Sequence, residues 1–195
     1  EAPGEETVVK TMEEAATPVT LADEATDVAL VAGAANILLP RDGMVIAGST
    51  DVGAVIALLT GLRDSGAPMG SVTLLGTGGA ARAALVALRS LDIRSVCIQA
   101  RDVSEAYKLA VEFGLAIQPL PFDAPIDTDG LIQATPLGMT GMIPLDVDFD
   151  AMPAGGWVLD FVTSPRRTHL ILNARDRGLK TVDGIAVLVE QAAER

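Results

Sequence analysis

The chain has 195 residues, 49% of them apolar and 3% aromatic, with 26 acidic side chains against 14 basic ones and a net charge of −12. That balance, with a pI near 4.4, argues against a general binder of nucleic acid or of acidic membranes, because like-charged polymers repel. An anionic ligand must therefore be held locally, by backbone N–H groups and a few placed arginines. One cysteine, Cys97, closes no internal disulfide, and one histidine, His169, cannot nucleate a histidine metal site. No uncharged run reaches the ~18–20 residues of a membrane span, and the acidic opening at Glu1 does not resemble a secretion signal. The expectation is a soluble, cytoplasmic α/β protein.

Residues 1–20 are acidic and weakly periodic, whereas 21–31 place apolar residues at helical spacing and predict a short helix. Two apolar runs, 35–39 and 44–47, flank Pro40-Arg41-Asp42-Gly43 and predict a β-hairpin. Ser49-Thr50-Asp51 precedes the apolar run 52–62, so one of these three is expected to cap a helix there. The cluster 64–70, rich in Gly, Pro and Ser, reads as a linker, which divides the chain into residues 1–66 and 67–195. Beyond it, short strand-like runs at 72–75, 95–100, 117–120, 131–134, 158–161 and 181–182 follow one another. Helix-like segments at 78–91, 103–113, 166–177 and 185–193 intervene or follow. This alternation predicts a doubly wound, Rossmann-type parallel sheet in the second part. Asp146, Asp148 and Asp150 alternate but lack the Gly and closing Glu of a calcium loop, so no metal is expected.

The sharpest local pattern is Gly76-Thr77-Gly78-Gly79-Ala80-Ala81, a G-x-G-x-x-A turn that leaves a strand and opens a helix. Gly76 permits the tight turn, Gly78 lets a pyrophosphate approach the backbone, and Ala81 lets helix and strand pack closely. The N–H groups of 77–80 then face the phosphates at the positive end of the helix dipole. The next strand ends without an acid and continues into Arg101. An arginine there suits the 2′-phosphate of NADP, where NAD would call for a carboxylate. Asp102 keeps NAD open, since an acid one residue further could turn toward the ribose.

Six stretches then occur in order: Gly33-Ala34-Ala35-Asn36, Ser49-Thr50-Asp51, the Gly76–Arg82 turn, Ala134-Thr135-Pro136-Leu137-Gly138-Met139, Ser164-Pro165-Arg166-Arg167-Thr168, and Asp183-Gly184-Ile185 leading to Gln191. Through them the chain resembles the shikimate dehydrogenase family over most of residues 11–193. The resemblance implies reduction of 3-dehydroshikimate to shikimate by NADPH, in a cleft between a smaller α/β substrate domain, of which 1–66 would be part, and a Rossmann domain at 67–195. It implies that Asn36, Asp51, Thr163 and Gln191 meet the substrate, with Asp51 in the polar dyad at the reacting carbon. It places Gly76, Thr77, Gly78, Gly79, Ala80 and Arg101 on the coenzyme phosphates, and Phe161 and Gly184 near the nicotinamide.

The pattern is not matched everywhere. Counted without gaps from Asn36, the family's catalytic lysine falls on Ala15, and the nearest ammonium in sequence is Lys10. Ser49 stands for the usual Asn and Thr163 for the usual Tyr. The resemblance also implies a substrate-gripping strand and loop before Thr11 and a closing helix after Arg195. An alternative is therefore a dinucleotide-binding relative with weak or lost catalysis.

Overall fold

The computed structural model describes residues 33, 35–41, 44–116 and 119–193. The helix expected at 21–31, together with Lys10 and Ala15, lies outside the described residues. The predicted hairpin is present as β1 (Ile37–Arg41) and β2 (Met44–Gly48), antiparallel, with Ile37 opposite Gly48. Helix α1 (Thr50–Asp64) follows. Then come β3 (Ser71–Leu75), α2 (Gly79–Ser90), β4 (Ser95–Ala100), α3 (Val103–Glu112) and β5 (Leu120–Pro121). The chain continues through β6 (Gly130–Gln133), β7 (Trp157–Asp160), α4 (His169–Asp176), β8 (Lys180–Val182) and α5 (Gly184–Ala193).

Strands β3 to β8 form one all-parallel sheet in the order β5-β4-β3-β6-β7-β8. The chain starts in the middle at β3, winds outward to β5, and returns to β6 on the other side of β3. The β3/β6 boundary is thus the topological switch point, where ligands of such sheets bind at the carboxyl ends of the strands. The Rossmann-type expectation holds in order and direction.

Strand pleating divides the core into two layers, since successive side chains point to opposite faces. Val72, Leu74, Val96, Ile98, Ile132 and Leu159 face a layer built from α1, α2, α3 and α5, into which Leu59, Ala84, Leu88, Leu109 and Val187 project. Leu75, Leu131 and Val158 face the other layer, covered by Leu170, Ile171 and Ala174 of α4 and by Leu145, Phe149 and Met152 from the long β6–β7 connection. Each fully buried leucine contributes about 1.5–3 kcal/mol. The alanines of α2 (Ala81, Ala83, Ala84 and Ala87 are all buried) let the helix lie close to both the sheet and α1.

The segment read as a linker is firmly tied down. Gly66 adopts a left-handed turn after α1, and the Ala67 N–H donates to Leu62 O at 3.1 Å, closing the helix end. Gly70 and Ser71 donate their N–H groups to Asp129 Oδ2 at 2.7 and 3.0 Å. Trp157 Nε1 donates to Pro68 O at 2.8 Å, and Lys180 Nζ donates to Ser65 Oγ at 2.8 Å. Helix α4 begins later than the expected 166, because Thr168 is its N-cap: its hydroxyl accepts from Ile171 N at 3.2 Å.

Trp157 is fully buried, and its ring packs directly against Gly130 on the neighbouring strand. A Cβ at residue 130 would sit 2.1 Å from Trp157 Cζ2, and the indole, held by Pro68, has nowhere to go. Gly130→Ala is expected to cost about 1–3 kcal/mol through overpacking. Urea unfolding of the two proteins measures it, and an unchanged midpoint would contradict this packing.

Candidate functional site

The candidate residues fall into two groups, the first at the carboxyl edge of the sheet and the second where α1 meets α5. The first is the turn between β3 and α2. Gly76 has φ +108°, and a Cβ there would lie 2.8 Å from Ala134 O, so only glycine lets the chain pass the end of β6. Its N–H donates to Gln99 O at 2.9 Å, which fixes the turn to β4. A Cβ at Gly78, the N-cap of α2, would meet nothing within 4 Å, so the space above the turn is open. Gly78 and Gly79 are exposed, with Thr77 and Ala80 half-buried beside them. No side chain caps α2 and no acid stands in its first turn, in contrast to Asp51 in α1 and Glu105 in α3. In an acidic chain, that leaves the free N–H groups and the helix dipole unneutralised at this point. The residues fit a pyrophosphate.

Arg101, directly after β4, is exposed at the same edge. Asp102, which kept NAD open, is the N-cap of α3: its Oδ1 accepts from Ser104 N at 2.9 Å and Glu105 N at 3.3 Å. Its carboxylate is directed into its own helix, leaving Arg101 as the charged side chain at the strand end.

The second group joins three separate elements. Asn36, just before the hairpin, donates from Nδ2 to Asp51 Oδ1 at 3.0 Å and to Thr50 Oγ1 at 3.1 Å, and its Oδ1 accepts from Thr50 N at 3.0 Å. Gln191 on α5 donates from Nε2 to the same Asp51 Oδ1. The capping expectation needs correction here. Ser49 is the N-cap of α1 but makes no side-chain cap bond, and Asn36 from outside the helix satisfies the first N–H instead. Asp51 is thereby released from capping and faces Asn36 and Gln191. Burial raises its pKa, and the hydrogen bonds from Gln191 and Asn36 only partly offset this.

Phe161 and Gly184 also meet. A Cβ on Gly184 would lie 2.2 Å from Val162 O and 2.8 Å from Phe161 O, so the start of α5 rests directly on the backbone that leaves β7. Thr163 is exposed on that loop and, among the described residues, makes no hydrogen bond to Asn36, Asp51 or Gln191. His169 is exposed at the start of α4 and Cys97 is buried in β4. Among the described residues no cluster of His, Cys, Asp and Glu could hold a metal, and no helix is long and apolar enough to cross a membrane.

The sequence reading missed Gln133 and Asp160, buried polar groups that each close a strand. A polar residue closing an apolar strand, as in Leu131-Ile132-Gln133 and Val158-Leu159-Asp160, was the available signal.

Because the native pKa of Asp51 is raised, the folded state binds the proton more tightly than the unfolded chain. Stability from this group therefore increases as pH falls through the raised pKa toward 3.8, and ionised Asp51 weighs against the fold at neutral pH. Asp51→Asn removes that charge. The melting temperature of the variant minus that of the parent should be more positive at pH 7 than at pH 4. A difference that does not change with pH would contradict the burial assigned to Asp51.

No family model matches the chain. It is 38% identical over 185 residues to the shikimate dehydrogenase (NADP(+)) of Sphingopyxis alaskensis, covering 94% of this chain and 66% of that protein. It is 36% identical over 182 residues to the enzyme of the same name from Caulobacter vibrioides, covering 88% and 62%. The fold superposes with a TM-score of 0.71 on shikimate 5-dehydrogenase from Thermus thermophilus in complex with NADP(H) and shikimate, at 30% identity, over 84% of this chain and 61% of that one. A quinate dehydrogenase from Corynebacterium glutamicum in complex with NAD also gives 0.71, at 26% identity, over 85% and 62%. The chain thus spans somewhat less than two thirds of the length of these relatives. On this sequence identity and this shared fold, the chain belongs to the shikimate dehydrogenase family.

Proposed function

We propose that this chain is the coenzyme-binding part, with a portion of the substrate side, of an NADP-dependent cytoplasmic oxidoreductase that interconverts 3-dehydroshikimate and shikimate. The observation that carries this reading is the convergence of Asn36, Asp51 and Gln191, from a loop, α1 and α5, on one carboxylate oxygen. A structural cap would need only one of them. Three hydrogen-bonding side chains from distant parts of the sequence suit a polyhydroxylated ring, whose hydroxyls both donate and accept. The division into residues 1–66 on the substrate side and 67–195 on the coenzyme side belongs to the same reading.

When bound, NADPH supplies a hydride. The residues of this chain do the rest. The N–H groups of Thr77, Gly78, Gly79 and Ala80 hold the pyrophosphate, and Arg101 pairs with the 2′-phosphate, a charge-assisted contact that NAD cannot make. Phe161 and Gly184 bound the nicotinamide side of the pocket, and Thr163 stands at its rim. Asp51, with Oδ1 occupied by Asn36 and Gln191, keeps Oδ2 for a substrate hydroxyl. As negative charge develops on the ketone oxygen, a proton donor must stand within hydrogen-bond reach. Burial favours the protonated form of Asp51 and suits it to take part in that transfer. A second reading, coenzyme binding without efficient turnover, is favoured by Ala15 at the position counted for the family's lysine.

Parallel titrations with NADPH and NADH, followed by a shikimate oxidation assay on the same sample, test both readings. NADPH is expected to bind in the micromolar range. Arg101→Ala should weaken it about tenfold or more while changing NADH less than about threefold, since one charge-assisted contact is worth about 1.5–3 kcal/mol. Equal losses for the two coenzymes would remove Arg101 from the phosphate. Binding without shikimate oxidation would select the second reading.

A further inference from the structure

Asp160 is a carboxylate at the end of β7 that the proposed reaction does not use, and it is 1% exposed. Burying a charge in such a place is costly unless each oxygen is occupied. Both are. Oδ1 accepts from Val162 N at 3.0 Å, and Oδ2 accepts from Thr168 Oγ1 at 2.6 Å. An ionised carboxylate only accepts, so the Thr168 hydroxyl gives its proton to Asp160 while it accepts from Ile171 N at 3.2 Å. The carboxylate thus clamps both ends of the loop 161–168, at the strand it leaves and at the helix it enters.

Its neighbour in register is Gln133, the last residue of β6, also 1% exposed and on the same face of the sheet. Gln133 grips the loop that follows its own strand. Its Oε1 accepts from Thr135 N at 3.0 Å, and its Nε2 donates to Leu137 O at 3.0 Å. The two loops are then joined beyond the sheet: Thr140 N donates to Ser164 O at 2.8 Å, and the hydroxyls of Thr140 and Ser164 lie 3.1 Å apart. Phe161 N donates to Gln133 O at 3.1 Å, and Gly184 presses on Val162 O from the other side. Val162 is therefore held at its N–H by Asp160, with Gly184 lying close against its carbonyl oxygen.

We infer that Asp160 is a positioning residue for the redox end of the coenzyme: through Val162 and Thr168 it fixes the loop 161–168, and through the Thr140–Ser164 contact it aligns the loop 134–143 as well. It touches no reacting atom. This inference rests on the dinucleotide reading above, but its structural half can be tested without any coenzyme. A carboxylate is the group required, because both of its oxygens accept, one from an N–H and the other from a hydroxyl. An amide at 160 keeps one acceptor and leaves the Thr168 proton without a partner.

The test compares Asp160→Asn, Thr168→Val and Thr168→Ser with the parent. Amide hydrogen exchange is read at Val162 and Thr140 without coenzyme, and coenzyme binding and turnover are read well below each melting temperature. Asp160→Asn and Thr168→Val should speed exchange at both amides at least tenfold, with the α2 amides unchanged, while Thr168→Ser behaves as the parent. In the assay, the same two variants should lower kcat at least tenfold and leave the shikimate KM within about twofold, again with rescue by serine. Unchanged exchange at Val162 and Thr140 overturns the clamp. Faster exchange with undiminished kcat shows a purely structural role and overturns the positioning. If the parent itself binds no NADPH, the functional reading fails and the positioning claim with it, whereas the exchange result still decides the clamp. Should Asp160→Asn fail to fold, Thr168→Val and its serine counterpart decide the matter alone.

Discussion

All six strands of the main sheet point the same way, and the chain reverses its winding between β3 and β6. From that single constraint the site follows. Parallel strands deliver their carboxyl ends to one edge, so every loop that leaves them is brought to the same surface. The winding reversal separates the loops after β3 and β6 and opens the crevice where ligands of such sheets bind. Gly76 shows how closely this is built, since its missing side chain is what lets the two strand ends pass. The positive end of α2 opens at this point, unneutralised, in a chain whose net charge would otherwise repel any phosphate.

The edge is held from below by buried polar groups and from the side by helices. Thr73 of β3 and Thr128, just before β6, share a hydrogen bond at 2.9 Å, and Gln133 and Asp160 each bind the loop that continues their strand. Such groups are expensive to bury and repay the cost only where every donor and acceptor is engaged. Helices α1 and α5 pack against each other over a shared apolar layer that includes Val52, Val55, Leu59 and Val187, and their polar ends meet at Asp51 and Gln191. The contact that joins the two helices therefore also brings a half-buried carboxylate to face two amide side chains. Packing and chemistry use the same pair of elements.

Much of this was legible in the sequence because the signals were local. The G-x-G-x-x-A turn, the apolar strand runs and the helix segments between them needed only neighbours a few residues away, and most of the strands appear within a residue or two of the expected bounds. Asn36, Asp51 and Gln191 were named through the family resemblance, but nothing local reveals that Gln191 meets Asp51 across 140 positions of sequence. The linker reading of 64–70 rests on composition, and composition cannot show that Asp129, Trp157 and Lys180 return from much later in the chain to hold the segment. Capping failed for the same reason. Ser49, Thr50 and Asp51 each look able to cap α1, yet the acceptor comes from Asn36, outside the helix. Asp160 was passed over because a carboxylate ending an apolar strand resembles a surface residue until Thr168 is seen folding back onto it.

The most direct measurement is a crystal structure of this chain soaked with NADP⁺ at saturating concentration. The account predicts pyrophosphate density within about 3 Å of the N–H groups at Thr77–Ala80, with the adenosine end toward Arg101 and the nicotinamide toward Phe161 and Gly184. A vacant turn, or a nucleotide bound elsewhere on the protein, would contradict it.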